Sequence, residues 1–347
     1  MGDEEMFRRV DAGRLERLVA GIFAAAGLRP ADAELMGRVL TDADLRGIHS
    51  HGTRYVATYV RALRAGQLNP TPEARLVHSR GAIAVLDADR GVGHIAAVRA
   101  MELAIERARA FGVGTVSIRN NGHCGALAYY TLQAAEAGCI GFAATTGGIA
   151  MAPWGGRERR IGLNPIAWSA PTRRGWAFNL DMAPSVVAGS KLLMAMERGE
   201  KIPLGWALDA EGKPTDDPEE GLRRGTLVPI GGPKGIGIAM AADILCGVLS
   251  GGKYHTAGPG GGGQIMQAID ISFFQPLEEF LDRMERMIEF VKSSALAPGS
   301  EGIFFPGEIE YNRRQERLQH GIPLDRPTRQ ALREEAERAG IAYDIEL

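Results

Sequence analysis

The segment Arg46-Gly47-Ile48-His49-Ser50-His51-Gly52-Thr53-Arg54-Tyr55 gathers two imidazoles, a hydroxyl and guanidinium groups within ten residues. An imidazole exchanges a proton near neutral pH, and a guanidinium pairs with a carboxylate. Ser50 is a good N-cap residue, so the reading starts a helix there, with His51 as its first residue. Arg54 and Tyr55 then follow three and four positions on, along the same face. This places a proton donor and a carboxylate clamp one turn apart. The plain alternative is a capped helix with a polar surface, since lone histidines usually carry no chemistry.

A second cluster, Asn120-Asn121-Gly122-His123-Cys124-Gly125-Ala126-Leu127, sets one histidine among small residues at a strand-to-helix junction. A ligand can approach the backbone closely there. Two chemistries fit. In one, His51 or His123 exchanges a proton with a small anionic substrate held by Arg54 and assisted by a bound cofactor. In the other, His49-x-His51 with His123 and Cys124 binds a metal for hydrolysis. His49 and His51 straddle a cap and a helix start, where their side chains diverge, and no acidic partner set with ligand spacing follows. That disfavours a metal site. A non-catalytic binding module fits poorly with so many glycine-lined, histidine-bearing loops.

The elements around these clusters must position them. The chain has 347 residues, of which 45% are hydrophobic, enough for two or three subdomains. A net charge of −2 provides no electrostatic footprint for nucleic acid or a membrane surface. Three cysteines in apolar settings point to a reduced, cytoplasmic protein, and neither a signal-peptide pattern nor an apolar run of spanning length is present.

Residues 11–66 read as helices: a first with Leu15, Leu18, Val19, Ile22 and Phe23 in period, ended by Gly27, a second from Pro30 to Leu45 and a third from Ser50 to Gly66, with a break at Asn69-Pro70-Thr71-Pro72. A strand–helix–strand unit follows over 82–118. Its Gly91-x-Gly93-x-x-Ala96 imitates a dinucleotide fingerprint, but the second strand ends Arg119-Asn120-Asn121 without the acid that a ribose needs. A plain turn is the better reading. Further on come a helix over 127–137, a strand over 140–145, the Gly147–Gly156 loop, strands near 166 and over 177–183, and a helix containing Lys191. Residues 196–231 are polar and loop-rich. Gly231-Gly232-Pro233-Lys234-Gly235 opens an apolar helix; it fails as a nucleoside-triphosphate loop but remains a credible anion site. A mobile loop is expected from Gly258 to Gly263, then a strand over 267–271, a long helix through Val291 and one charged terminal helix.

Eight motifs stand in a recognisable order: Arg46-Gly47-x-x-Ser50-His51-Gly52, Leu86-Asp87-x-Asp89-x-Gly91-x-Gly93-His94, Asn121-Gly122-His123-x-Gly125, Ala152-Pro153-x-Gly155-Gly156, Gly162-x-Asn164-Pro165, Asp181-Met182-Ala183-x-Ser185, Lys234-Gly235-x-Gly237 and Pro306-Gly307-Glu308. Together, over residues 10–340, they resemble the malate/L-lactate dehydrogenase family of NAD(P)-dependent oxidoreductases. Its relatives include ureidoglycolate and sulfolactate dehydrogenases, diketogulonate reductase and cyclic-imine-2-carboxylate reductases.

The resemblance implies a mixed α/β fold with a non-Rossmann NAD(P)-binding domain and a helical subdomain built from both chain ends. It divides the chain into 1–72, carrying the catalytic histidine, 73–250, binding the cofactor, and 251–347, returning to both. It implies a homodimer and hydride transfer between NAD or NADP, NAD being the expected one, and C2 of a small 2-hydroxy or 2-oxo carboxylate. His51 matches the acid–base, Ser50 a relay hydroxyl, and His123 with Cys124, Gly125, Ala126 and Leu127 the segment against the nicotinamide. Asp181, Met182, Ala183, Lys234, Gly235, Pro306, Gly307 and Glu308 match cofactor-binding segments; no metal is implied.

Four departures bear on the substrate. The clamp arginine commonly lies four residues after the histidine, where this chain has Tyr55, with Arg54 one position earlier. Leu163 replaces a hydroxyl residue before Asn164-Pro165, which with Trp154 suggests a pocket less polar than a dicarboxylate wants. Pro184 replaces a threonine. The aspartate relay of the imine reductases, expected near Lys191, is missing, which favours a hydroxy-acid dehydrogenase over an imine reductase.

Overall fold

The computed structural model describes residues 6–254 and 262–347. The loop expected from Gly258 therefore lies outside the described residues up to 261, and Gly262 already belongs to a strand.

Strand β1 (Phe7–Val10) leads into helices α1 (Ala12–Ala25) and α2 (Pro30–Leu45), which start where the sequence places them. Asp11 caps α1 by accepting from the Arg14 N–H at 2.7 Å. Pro30 occupies the first turn of α2, where an N–H has no partner anyway. Leu15, Val19, Ile22 and Phe23 form one buried face and share a core with Met36 and Leu40.

The third helix is shorter than expected. The chain makes two 3-10 turns, His49–His51 and Thr53–Tyr55, before α3 (Val56–Arg64) begins. The physical reason is Asp44. Its buried carboxylate accepts from the Thr53 N–H at 2.8 Å and the Thr53 hydroxyl at 2.6 Å, drawing the turn back onto α2. Gly52 permits this approach, because a Cβ there would stand 2.2 Å from Asp44 Oδ1. Ser50 makes no capping bond.

The expected strand–helix–strand unit is present as β3 (Ile83–Asp87), α4 (Gly93–Phe111) and β4 (Val113–Asn121), with β3 and β4 parallel. An additional strand, β2 (Arg75–Arg80), pairs with β3. The chain continues through α5 (Ala128–Glu136), β5 (Cys139–Thr145), β6 (Ile149–Met151), β7 (Ile161–Gly162), β8 (Ile166–Ala170) and β9 (Phe178–Met182). Next come α6 (Gly189–Arg198), β10 (Ala207–Leu208), β11 (Pro214–Thr215), β12 (Thr226–Leu227), α7 (Pro233–Asp243) and β13 (Gly262–Asp270). Last are α8 (Leu277–Lys292), α9 (Glu308–His320), β14 (Ile322–Asp325) and α10 (Arg326–Ala339). The single terminal helix of the sequence reading is thus two helices with β14 between them. β14 pairs with β1, and Ile322, Leu324 and Leu332 join the core of α1 and α2.

The large sheet runs β2-β3-β4-β13-β5-β8-β9. β13 starts five residues earlier than expected, because Gly262–Met266 also pair with the neighbouring strands. It sits mid-sheet, so the segment after 250 supplies the centre of the sheet as well as the returning helices. Alternating residues cover both faces: Met266 and Ala268 pack with Met101 and Tyr130, whereas Ile265 packs with Ala144, Ile166 and Cys246. A smaller sheet, β11-β10-β12-β6-β7, has its own core around Met151, Leu192, Leu227 and Ile236, so residues 73–250 contribute to this core as well as to the packing on both faces of the large sheet.

Gly93 explains the fingerprint-like glycines. A Cβ there would lie 2.2 Å from the Gly122 carbonyl oxygen and 2.4 Å from that of His123. The glycine is required by the loop that carries His123, packed directly on it. Gly93→Ala is expected to cost at least about 2 kcal/mol in urea unfolding, since backbone on the far side cannot yield like a flexible side chain.

Candidate active site

The turn between α2 and α3 is held from two directions. Asp44 Oδ1 accepts from His49 Nδ1 at 2.8 Å. From α9, Arg317 donates to the Asp44 carbonyl and, at 3.0 Å, to His49 Nε2. Both nitrogens of His49 are therefore engaged in the scaffold. This separates it from His51, whose Nδ1 lies 2.9 Å from Ser50 Oγ. Among the described residues, no group of three histidine, cysteine or acidic side chains is placed to hold a metal ion.

The fold brings His51 and His123 together across 72 residues of sequence. Their rings lie nearly parallel with centroids 5.8 Å apart, and Tyr55 stands 6.3 Å from His51 and 5.3 Å from His123. Tyr59, buried on α3, places its hydroxyl 2.6 Å from His123 Nδ1. His94, wholly buried at the start of α4, meets Tyr59 edge-on at 5.3 Å. Burial lowers all three imidazole pKa values. His51 falls below 6.5, His94 falls well below it, and His123 goes to about 4 with the nearby His51 charge adding to the effect. His123 is exposed, but its ring packs among those of His51, Tyr55 and Tyr59, so its charge is still poorly hydrated.

A cleft of about 400 Å³ opens beside these rings, lined by Ser50, Arg54, Tyr55 and Thr58 on one side. Gly189, Ser190, Leu193 and Leu222 line the other side, from the unit of the smaller sheet. Arg54 and Tyr55 thus both face it. Leu163 and Trp154 do not line this cleft. The Leu163 N–H donates to the Gly148 carbonyl and its side chain packs on the core around Met151, while Trp154 is exposed and near the Gly232 turn. The apolar wall is supplied by Leu193 and Leu222 instead.

The segments expected to bind a cofactor meet along β9. Asp181 Oδ2 accepts from the Ala128 N–H at 2.8 Å, which fixes β9 to the end of the Cys124–Leu127 loop. The Asn179 N–H donates to the Pro306 carbonyl at 3.1 Å, bringing Pro306 and Gly307 alongside. Pro184 accepts from Ile230, and Ser185 bridges to Pro229, which anchors the Lys234-Gly235 turn after Ala183. The Glu308 carboxylate turns away from this junction, toward Lys292 and the Phe305 N–H; burial pushes its pKa up, but those two bonds outweigh it and hold it low. Lys234 is exposed at the start of α7.

A narrow gap lined by His51, Ala126 and Ala128 shares Asp42, Arg46 and Tyr129 with a second, larger cleft. That cleft, about 620 Å³, also contains Arg38, Arg314, Trp176, Tyr311, Asn179 and Gly307. Cationic groups, flat aromatic faces and this volume suit a dinucleotide. Sequence reasoning missed Asp42, Asp44, Arg314, Arg317 and Tyr59 as parts of the site. Only Asp44, an acid three residues before the glycine that ends its helix, carried even a faint local signal.

Burial pushes the Asp181 carboxyl up to about 6 despite the hydrogen bonds from Ala128 and Leu127 that pull it down. The folded protein therefore binds this proton more tightly than the unfolded chain. Stability is expected to fall as pH rises from 4 to 6, by about 2 kcal/mol. Comparing urea unfolding of the wild type and Asp181→Asn across that range tests this, because the variant should lose that part of the slope.

The family model described as malate/L-lactate dehydrogenase matches residues 10–333. The chain is 39% identical to a malate dehydrogenase of Pyrococcus abyssi, over 97% of each chain. It is 36% identical to an L-sulfolactate dehydrogenase of Methanocaldococcus jannaschii, over 94% of this chain and 96% of that one. Among solved structures, a malate dehydrogenase from Pyrococcus horikoshii OT3 superposes with a TM-score of 0.90 at 37% identity, covering 99% of this chain and 98% of that one.

Proposed function

The chain belongs to the malate/L-lactate dehydrogenase family of oxidoreductases, and from that premise we propose that it moves a hydride between NAD and C2 of a small 2-hydroxy or 2-oxo carboxylate, with His51 as acid–base. The observation that carries this reading is the placement of His51, paired with Ser50 and parallel to His123, beside a cleft lined by Arg54.

The nicotinamide supplies or accepts the hydride when bound. In the oxidative direction, neutral His51 takes the hydroxyl proton on Nε2, and the imidazolium so formed is stabilised by Nδ1–H donating to Ser50 Oγ. In reduction, His51 returns that proton to the C2 oxygen. Arg54 pairs with the carboxylate, and Leu193 and Leu222 form an apolar wall for the rest of a compact substrate. Ala126, Leu127, Asp181 to Ala183, Pro306 and Gly307 would hold the cofactor, with His123 at its nicotinamide end.

Asp42 favours NAD over NADP. It already pairs with Arg46 at 2.6 Å and Arg314 at 3.1 Å, so an extra phosphate in the larger cleft would meet a carboxylate between the two arginines. A homodimer fits the exposed apolar side chains Met240, Ile244, Val248 and Leu249 on and after α7. Among the described residues, no helix is long and apolar enough to cross a membrane; with three buried, unpaired cysteines, this supports a cytoplasmic enzyme.

His51→Gln should lower kcat by about 10²–10⁴-fold in an NADH absorbance assay, using lactate-, malate-, sulfolactate- and ureidoglycolate-type oxo acids. Near-wild-type turnover in the folded variant would sink the mechanism. Because burial holds His51 below 6.5, kcat/KM for hydroxy-acid oxidation should be flat above pH 6.5. It should fall as pH drops through the lowered pKa, where the base becomes protonated. The same assay run with NADPH decides the cofactor.

A further inference from the structure

We propose that Tyr59 is a positioning residue that fixes the tautomer of His123, its hydroxyl donating to Nδ1 so that the remaining ring proton stays on Nε2. The proposal rests on the reading that His123 stands at the nicotinamide end of the site, but its structural core can be tested independently.

The oxygen-to-nitrogen distance is 2.6 Å, well within hydrogen-bond range, and one of the two groups must supply the proton. Tyr59 is 5% exposed, and its hydroxyl has no other hydrogen-bond partner among the described residues. If His123 donated from Nδ1, the phenol hydrogen would be left buried without an acceptor. If the phenol donates, every proton in the contact is used. Leaving a buried donor unmet disfavours the first arrangement by about tenfold to a hundredfold.

The surroundings keep both partners in the required state. Burial raises the Tyr59 pKa well above 10, with Cys124 and Tyr55 adding to the effect, so the phenol retains its hydrogen. Burial and the neighbouring His51 keep His123 neutral, so it carries a single ring proton. Tyr59 is also held in place: its ring lies 6.5 Å from Phe23 and meets His94 edge-on. Nε2 of His123 makes no hydrogen bond among the described residues, and the residue is exposed.

The two facing imidazoles thereby acquire different roles. His51 is backed by a serine, which can accept or donate, so it can change protonation state. His123 is backed by a buried phenol whose hydrogen has no other acceptor among the described residues, so the phenol donates and His123 keeps its single proton on Nε2, as an N–H that a carbonyl oxygen beside His51 could accept from. That division would come from the hydroxyl behind each ring.

The full chain labelled with ¹⁵N-histidine tests this by long-range proton–nitrogen correlation NMR. It has seven histidines, and His123 is assigned by its loss in His123→Asn. The wild type should show His123 in the Nε2–H form, with Nδ1 unprotonated. Tyr59→Phe keeps the ring but removes the donor. Its His123 signals should move toward a mixture of tautomers, and kcat should fall about tenfold while cofactor KM changes far less. A wild-type His123 protonated on Nδ1 overturns the proposal, as does a Tyr59→Phe spectrum unchanged from wild type. If Tyr59→Phe fails to fold, the wild-type spectrum alone decides. Absence of nicotinamide-linked turnover with any oxo acid would instead overturn the proposed function and leave the tautomer assignment standing.

Discussion

The site depends on one buried carboxylate. Asp44 ends α2 and accepts hydrogen bonds from Thr53 and His49, while Arg317 from α9 binds its carbonyl. A carboxylate buried this deeply is tolerable only when its oxygens are satisfied by donors. The donors available are the turn itself, so the turn is drawn back onto α2. The two short 3-10 turns and the extended Gly52 between them follow from that demand. So does the position of His51, which no local propensity would have placed there.

A second set of contacts holds the other half of the site. β9 is an edge strand of the large sheet, yet two separate segments are tied to it by backbone or carboxylate hydrogen bonds, and a third to Pro184 just after it. An edge strand leaves one row of backbone groups free, and here Pro306 takes up one of them. The arrangement gathers residues from 124 to 307 without a Rossmann turn. Gly93, the residue that imitates such a turn, serves instead to let the His123 loop lie against α4.

Between these two halves stand three imidazoles that their surroundings keep neutral. Each would add a positive charge to a concave site already lined by Arg54 and, through the narrow gap, by Arg46. Keeping them neutral limits like-charge repulsion and leaves proton exchange to the histidine with an adaptable partner. Chemical similarity among the rings is thus resolved by what stands behind each: Ser50 behind His51, Tyr59 behind His123, and complete burial against the ring of Tyr59 for His94.

Much of this was determined by the sequence alone. The periodicity of Leu15 to Phe23, the Pro30 start and the break at Asn69-Pro70-Thr71-Pro72 specify local structure, because helix and turn preferences act within a few residues. The ordered motifs were enough to indicate the family, and Ser50, His51, His123 and Arg54 stood out by type and spacing. Only the tertiary structure decided where α3 begins, that β13 enters the middle of the sheet, and that Leu193 and Leu222 rather than Leu163 wall the cleft. The reason is the same in each case: these features arise from contacts between residues far apart in the chain. Asp44 meeting Arg317, or Tyr59 meeting His123, leaves no periodic or local trace, since neither side chain's spacing to its neighbours records the partner that it will find.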